Sequence, residues 1–233
     1  MLRRLLLTMV VWTALLAVFA QNALALPYFV PGICTDSAGT KLLSDGTWAQ
    51  IRIYPKPTLD SRTGDHVNSI YARRANGDNV EVGWYWDCLN TGTLPKNFTR
   101  IQSAIAGTAE RDAASHGIVS NTFEPYELRR VVPNDTWQVY INGALDHTYY
   151  STGIGSSYAT VGAERNTLND DGRGSWTYVK YKKYGTTSYS YWPSARGDTN
   201  SNGVSLDSDP NYNFYYERVG NSNHQVYVDN HLN

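Results

Sequence analysis

The segment Val80-Glu81-Val82-Gly83-Trp84-Tyr85-Trp86 decides the fold class, because its residues alternate between two kinds with a period of two. This period is typical of a β-strand, in which successive side chains point to opposite faces. The apolar face carries Val80, Val82, Trp84 and Trp86, and the other carries Glu81, Gly83 and Tyr85. The apolar face needs a second layer to pack against, which leaves the other face for a groove or for solvent. The segment therefore predicts a strand of a β-sandwich.

A second strand with the same construction is predicted at residues 158–165. Its small apolar side chains share one face: Ala159, Val161 and Ala163. Its other face carries Tyr158, Thr160, Gly162 and Glu164. Each of the two strands thus presents one glutamate, beside a glycine and a tyrosine, on the face that does not enter the core. If the two strands lie in one sheet, Glu81 and Glu164 face each other across a groove.

Short alternating runs separated by turn residues continue along the chain. Strands are predicted at residues 48–54, 67–73, 79–87, 98–105, 122–132, 137–141, 145–150, 158–165, 175–184 and 212–219. The pairs Asn76-Gly77 and Asn142-Gly143 favour hairpins with type I′ turns. A helical turn is predicted at residues 104–115 and a long surface loop at residues 185–211. We predict an all-β fold of about ten strands, an antiparallel concanavalin-like jelly roll in which one curved sheet forms a groove.

The first 25 residues have the pattern of an export signal. Arg3 and Arg4 precede an apolar run at residues 5–19, and Ala23 and Ala25 fit the small-residue positions of a cleavage site. The run is shorter than the roughly 20 residues that span a bilayer, although an uncleaved anchor is the alternative. We therefore predict a signal peptide at residues 1–25 and a single β-sandwich domain at residues 26–233, secreted and not held in the membrane after cleavage.

The net charge argues against a nucleic acid as the partner of this protein. The formal net charge is −1, and it becomes more negative when the signal peptide is removed, so the chain lacks the excess of basic residues typical of nucleic-acid binding.

The chain has two cysteines. In an exported protein Cys34 and Cys88 are expected to form a disulfide, with two buried free thiols as the alternative. Eighteen tyrosines suit both a pleated sheet and a binding groove.

Two carboxylates that lie close together in one groove can divide the roles of acid and base between them. Like charges at close range cannot both ionise easily, so the pKa of one rises and that of the other falls. One carboxylate can then activate water while the other donates a proton. The alternative is that Glu81 and Glu164 are two exposed glutamates on a solvated sheet face.

The two glutamate-bearing runs, at residues 80–84 and 161–166, resemble the corresponding strands of the neprosin-type glutamic peptidases. Between them, the pattern W-x-V-x-x-x-G at residues 137–143 resembles the hairpin that precedes the second glutamate of that family. The resemblance implies a secreted β-sandwich peptidase that is active at acid pH. The same hairpin also resembles laminin-G-like and concanavalin-like modules, which need no catalysis.

The resemblance implies a hydrolase, most specifically a glutamic endopeptidase, with Glu81 and Glu164 as catalytic residues and a polypeptide as substrate. Four side chains are predicted to contact substrate: Tyr85, Tyr158, His66 and Thr160. The alternative is a non-catalytic carbohydrate-binding or adhesive module, or a polysaccharide-degrading enzyme, in which aromatic rings stack on sugars. The partner is then an extracellular polysaccharide instead of a polypeptide.

One loop has the oxygen-ligand spacing of a calcium site. Its candidate ligands are Asp198, Asn200, Asn202 and Asp209. An ordinary turn region rich in Asn and Asp is the alternative. We expect no catalytic cofactor, and Ca²⁺ only in this structural role.

Overall fold

The computed structural model describes residues 28–55, 66–86, 94–113, 118–132, 134–165, 173–198, 212–219 and 223–230. These residues form fifteen β-strands and no helix, so none of them belongs to a helix that could cross a membrane. The strands are β1 (Tyr28–Thr35), β2 (Leu43–Arg52), β3 (His66–Arg73), β4 (Asn79–Trp86), β5 (Lys96–Ser103), β6 (Gly107–Asp112), β7 (Phe123–Val131), β8 (Thr136–Ile141), β9 (Ala144–Tyr149), β10 (Ser157–Arg165), β11 (Gly174–Lys183), β12 (Tyr189–Tyr191), β13 (Ser194–Gly197), β14 (Tyr212–Val219) and β15 (Asn223–Asn230).

The strands form two layers, and every named strand pairing is antiparallel. The first layer runs β13-β1-β10-β3-β4-β5-β6. The second layer runs β14-β15-β11-β2-β7-β8-β9. A short pairing between β10 and β2 joins the layers at one corner. The predicted antiparallel β-sandwich is therefore confirmed.

The core lies between the two layers and is rich in tryptophan. The apolar face of β4, from Val80 to Trp86, is buried there as predicted, together with Ala159, Val161 and Ala163 of β10. A buried indole N–H needs an acceptor, and main-chain carbonyls supply it for Trp84, Trp86, Trp137 and Trp176. Trp84 donates to the carbonyl of Arg52 at 3.1 Å. These bonds fix the large rings, so the opposite face of the first layer has a rigid support.

The two Asn-Gly turns differ. Asn142 and Gly143 both have positive φ, 52° and 76°, and they close the β8–β9 hairpin with the predicted type I′ geometry. In the β3–β4 hairpin only Gly77 has positive φ, and its N–H donates to the carbonyl of Arg74. The type I′ prediction is wrong there, because the loop is longer and needs one left-handed residue instead of two.

Two predictions about local structure are wrong. The segment expected to form a helical turn at residues 104–115 instead contains β6, which extends the edge of the first layer. The segment expected to be a loop at residues 185–211 contains β12 and β13, of which β13 pairs with β1. All three strands lack a run of apolar residues that would indicate them in the sequence, because an edge strand needs no apolar face.

Cys34 is a free, buried thiol, so the predicted disulfide with Cys88 is not formed in the structure. Burial raises the pKa of the Cys34 thiol. Cys88 lies outside the described residues, as do residues 1–25.

Gly83 allows β3 and β4 to approach closely beneath the groove. It pairs with Ser69, and a Cβ at position 83 would lie 2.6 Å from the Ser69 Cα and would also meet the carbonyl oxygen of Asn68. We expect Gly83→Ala to lower the free energy of unfolding by about 2–3 kcal/mol, because the backbone of β3 must move. Urea denaturation measures the loss.

Gly39→Ala is the matched control. Gly39 has a φ of +83° but open space around the missing Cβ, so its substitution costs only backbone strain, about 1 kcal/mol. Equal losses for the two variants would contradict the close approach at Gly83.

Candidate functional site

The register of three neighbouring strands brings the two glutamates together. Glu81 of β4 pairs with Tyr71 of β3, and Tyr71 pairs with Thr160 of β10. Glu164 lies further along β10, on the same face as Thr160. This face points away from the core, as the alternation predicts. Glu81 and Glu164 therefore share the groove face of the first layer, with β3 between them.

Arg100 joins the two carboxylates. Its Nη2 lies 2.5 Å from Glu81 Oε2 and 2.8 Å from Glu164 Oε1. The two oxygens are consequently no further apart than the sum of these distances, about 5.3 Å. The Tyr71 hydroxyl donates a hydrogen bond to Glu164 Oε1 at 2.8 Å. One guanidinium and one phenol thus hold both acids in a single cluster, which we call the Glu81–Glu164 site.

The two acids are buried to different extents and have different partners. Glu81 is fully buried and Glu164 is 6% exposed, while the Arg100 side chain is 23% exposed and covers them. Glu164 accepts well-formed hydrogen bonds from Arg100 and Tyr71. Neither oxygen of Glu81 accepts a hydrogen bond of good geometry, although Arg100 is in ion-pair range. The two carboxyl groups are therefore unequal, which is what division of acid and base roles requires.

The pKa of Glu81 is raised from 4.5 to about 7. Burial is the largest cause, because it penalises the charged carboxylate, and the negative charge of Glu164 acts in the same direction. Arg100 opposes the rise, as do the nearby hydroxyls of Ser69 and Tyr71. Glu81 is accordingly protonated in acid solution and able to donate a proton.

Tyr71 and Arg100 keep their protons. Burial, followed by the charges of Glu164 and Glu81, raises the pKa of Tyr71 well above its usual range. The carboxylate of Glu81 is the largest cause of a raised pKa at Arg100. Tyr71 is therefore a permanent hydrogen-bond donor and Arg100 a permanent cation in this site.

Three of the four predicted substrate contacts lie on the groove face. Thr160 is buried next to Tyr71, and Tyr158 is half-buried two residues further along β10. Tyr85 is half-buried on β4, where its ring packs edge-on against Phe98 and its hydroxyl donates to Asp112 at 2.8 Å. The structure places Thr160 beside Tyr71 on the groove face, and contact of these three side chains with substrate stays a prediction.

The structure does not place His66 on the groove face with the other three predicted substrate contacts. Its ring is 3% exposed and stacks on Trp84, with 5.4 Å between ring centroids. It also makes hydrogen bonds with Asn68 and with the carbonyl of Arg173. Alternation along β3 places residue 66 on the core face, opposite to the face of Tyr71.

The predicted calcium loop is only partly within the described residues. Both carboxylate oxygens of Asp198 contact Nζ of Lys41, at 2.9 and 3.1 Å. Asn200, Asn202 and Asp209 lie outside the described residues, so the calcium site stays a prediction. Within the described part of the chain, no group of three or more His, Cys, Asp or Glu residues is arranged to hold a metal ion.

Sequence reasoning missed three members of the site: Ser69, Tyr71 and Arg100. The sequence does contain a signal for Arg100, because alternation in residues 98–105 puts Phe98, Arg100 and Gln102 on one face. What the sequence did not reveal is the pairing of β5 with β4, which places Arg100 directly opposite Glu81.

Neither a protein-family model nor a curated protein matches this sequence. Solved structures do match its fold. Scytalido-glutamic peptidase bound to a peptide-based transition-state analogue has a TM-score of 0.57 and 8% identity, covering 88% of this chain and 99% of that chain. SCP-B, an eqolisin-family peptidase bound to the tripeptide Ala-Ile-His, has a TM-score of 0.54 and 8% identity, covering 88% and 99%.

These likenesses show a shared β-sandwich over most of both chains. A lichenase from a mouse hindgut metagenome is also similar, with a TM-score of 0.41 and 11% identity over 86% of this chain and 76% of that chain. The narrower resemblances to neprosin-type peptidases and to laminin-G-like modules stay predictions.

Proposed function

We propose that this protein is a secreted glutamic peptidase that hydrolyses peptide bonds at acid pH through Glu81 and Glu164. The observation that carries the proposal is the convergence of these two buried carboxylates, within about 5.3 Å, on the groove face. The matches to two glutamic peptidases, each spanning 88% of the chain, support the same class of hydrolase. The export pattern of residues 1–25 supports secretion.

The inequality of the two carboxyl groups suggests their roles. Glu164, the acceptor of two hydrogen bonds, takes a proton from the attacking water as the new C–O bond forms. Glu81, protonated below about pH 7, donates its proton to the leaving nitrogen as the C–N bond breaks. Return of a proton from Glu164 to Glu81 restores the starting state. Tyr71 and Arg100 orient Glu164, and Arg100 also stabilises Glu81 when it becomes charged.

The test is cleavage of denatured casein by the purified protein from pH 3 to pH 8. We expect cleavage at acid pH, and Glu81→Gln and Glu164→Gln should each lower the rate by at least about 100-fold, because general acid–base catalysis contributes a factor of that size or more. A glutamine cannot exchange a proton in either role. The rate of peptide release measures the effect.

Glu217→Gln is the matched control, because Glu217 is exposed on β14 and lies outside the site. It should retain the parent rate. Absence of cleavage at every pH, with all variants folded like the parent, would overturn the proposal. The next measurement would then be binding to an array of polysaccharides.

A further inference from the structure

Ser69 lies midway between the two glutamates, on the strand that separates them. It belongs to β3 and pairs with Gly83 of β4 on one side and with Gly162 of β10 on the other. Glu81 lies two residues from Gly83, towards one end of the sheet, and Glu164 lies two residues from Gly162, towards the other end. Both glutamates are therefore diagonal neighbours of Ser69, with about 7–8 Å between Cα atoms, a distance that long side chains can cross.

The two glycines leave the groove face open on either side of Ser69. A Cβ at Gly83 would lie 2.6 Å from the Ser69 Cβ, so a larger residue there would take the space of the serine. Gly162 has no side chain either. In this row of three residues, Ser69 alone carries a side chain. A group held between Glu81 and Glu164 consequently lies over the Ser69 hydroxyl.

This hydroxyl is buried and is not committed to a protein acceptor. Ser69 is fully buried, and its Oγ makes no hydrogen bond of good geometry with the described residues. It is close enough to Glu81 and Tyr71 to lower the pKa of each, yet it is well bonded to neither. A buried hydroxyl without a partner costs about 1–3 kcal/mol, and a catalytic role is one explanation for keeping such a group.

The other donors of the site are committed to the carboxylates. The Tyr71 hydroxyl donates to Glu164, and Arg100 Nη2 contacts both glutamates. Arg100 Nε has no partner either, but this arginine projects from β5, on the side of β4 away from β3. Among these donors, the Ser69 hydroxyl is the one that starts between the two acids and is not already bound to one of them.

We propose that Ser69 is a third catalytic residue, whose hydroxyl donates a hydrogen bond to the carbonyl oxygen of the scissile bond as that oxygen becomes negative. This role rests on the peptidase function proposed above. When water attacks and its proton passes to Glu164, the electron pair of the C=O bond moves to the oxygen. The pair returns as the C–N bond breaks and Glu81 protonates the nitrogen. Donors fixed in advance stabilise such a charge best, and the Trp176 indole N–H fixes the Ser69 main chain by donating to its carbonyl at 3.0 Å.

The test is hydrolysis of a fluorescence-quenched peptide that carries a casein sequence cleaved by the wild-type protein. Ser69→Ala removes the donor, and Ser69→Cys keeps a side chain of similar shape with a much weaker donor. Each should lower kcat by about 100-fold or more at pH 4 and leave KM within about twofold, because loss of one oxyanion donor has an effect of this size. Ser69→Cys keeps the test valid if Ser69→Ala does not fold.

Ser157→Ala is the matched control. Ser157 is also a buried serine of the first layer whose Oγ has no partner among the described residues. It pairs with Ser44 of β2, at the corner where the layers meet, and so lies outside the site. This variant should retain the parent kcat, and the urea midpoints of all variants verify that they fold.

The pH profile separates this role from one in which Ser69 only positions Glu81. If the hydroxyl acted only on the pKa of Glu81, its removal would move the alkaline limb of the profile to higher pH. The rate at pH 4, where Glu81 is protonated, would then stay at the parent value, and this result would overturn the proposal. A loss confined to KM would overturn it as well. Cleavage by Ser69→Ala at the parent rate would remove Ser69 and leave the peptidase, whereas no cleavage by the wild-type protein at any pH would remove both.

Discussion

Arg100→Met should lower the free energy of unfolding by about 3–5 kcal/mol at pH 8, the cost of leaving a buried charge without its partner. Arg100 Nη2 is the cation within ion-pair distance of both Glu81 and Glu164, and methionine replaces its stem but not its charge. Glu81 is fully buried, so water does not replace the lost partner. Urea denaturation at pH 8 and pH 4.5 measures the loss.

The loss should be smaller at pH 4.5, because Glu81 is protonated there and carries no charge to strand. Arg111→Met is the control: its exposed side chain contacts His147 and neither glutamate, so its cost should stay within about 0.5 kcal/mol at both pH values. If the two variants lose the same free energy at pH 8, Arg100 does not stabilise the paired carboxylates.

A double variant separates the charge of Arg100 from its packing. In Glu81→Gln/Arg100→Met one of the stranded charges is absent, so the second substitution should cost about 1–2 kcal/mol less than it does in the parent. Any loss that remains reports the contacts with Glu164 and Glu110 and the buried stem of the arginine. Additive losses would mean that Arg100 and Glu81 do not interact.

The sequence predicted correctly which strand faces carry Glu81 and Glu164, but it did not predict which strands lie next to each other. Alternation placed Glu81 and Glu164 off the core, and the structure agrees, because a strand with one tryptophan-rich face has only one way to bury it. Alternation does not predict the order of the strands, because that order depends on which hairpins pack side by side. No local pattern indicates that β3 separates the two glutamate strands or that Arg100 of β5 faces Glu81.

The errors have equally local causes. The position of His66 at the start of a strand that reaches the site favours a place in the groove, but the period of two puts residue 66 with Asn68 on the core face. The expected oxidising compartment favours a disulfide at Cys34, but a compartment constrains the redox state of two cysteines and not the distance between them. The strand that carries Cys34 was not predicted at all, so its position in the sheet had no basis in the sequence.

Glu81 should make the protein less stable as the pH rises from about 4.5 to about 7. The folded protein binds the Glu81 proton more tightly than the unfolded chain does, because burial raises its pKa from 4.5 to about 7. The resulting stabilisation is complete below pH 4.5 and is lost as the pH passes 7. A shift of this size corresponds to about 3 kcal/mol.

Glu81→Gln isolates this contribution, because glutamine resembles the protonated acid at every pH. The free energy of unfolding of the wild type, minus that of the variant, should fall by about 3 kcal/mol between pH 4.5 and pH 7.5. The charged groups facing Glu81 are Arg100 and Glu164, with Tyr71 as the neighbouring phenol, and all three are present in both proteins. Glu217→Gln, exposed on β14, should instead follow the wild type across the whole range. If the Glu81→Gln and wild-type curves run parallel, Glu81 titrates alike in the folded and unfolded chains and is not the proton donor that acid-pH hydrolysis requires.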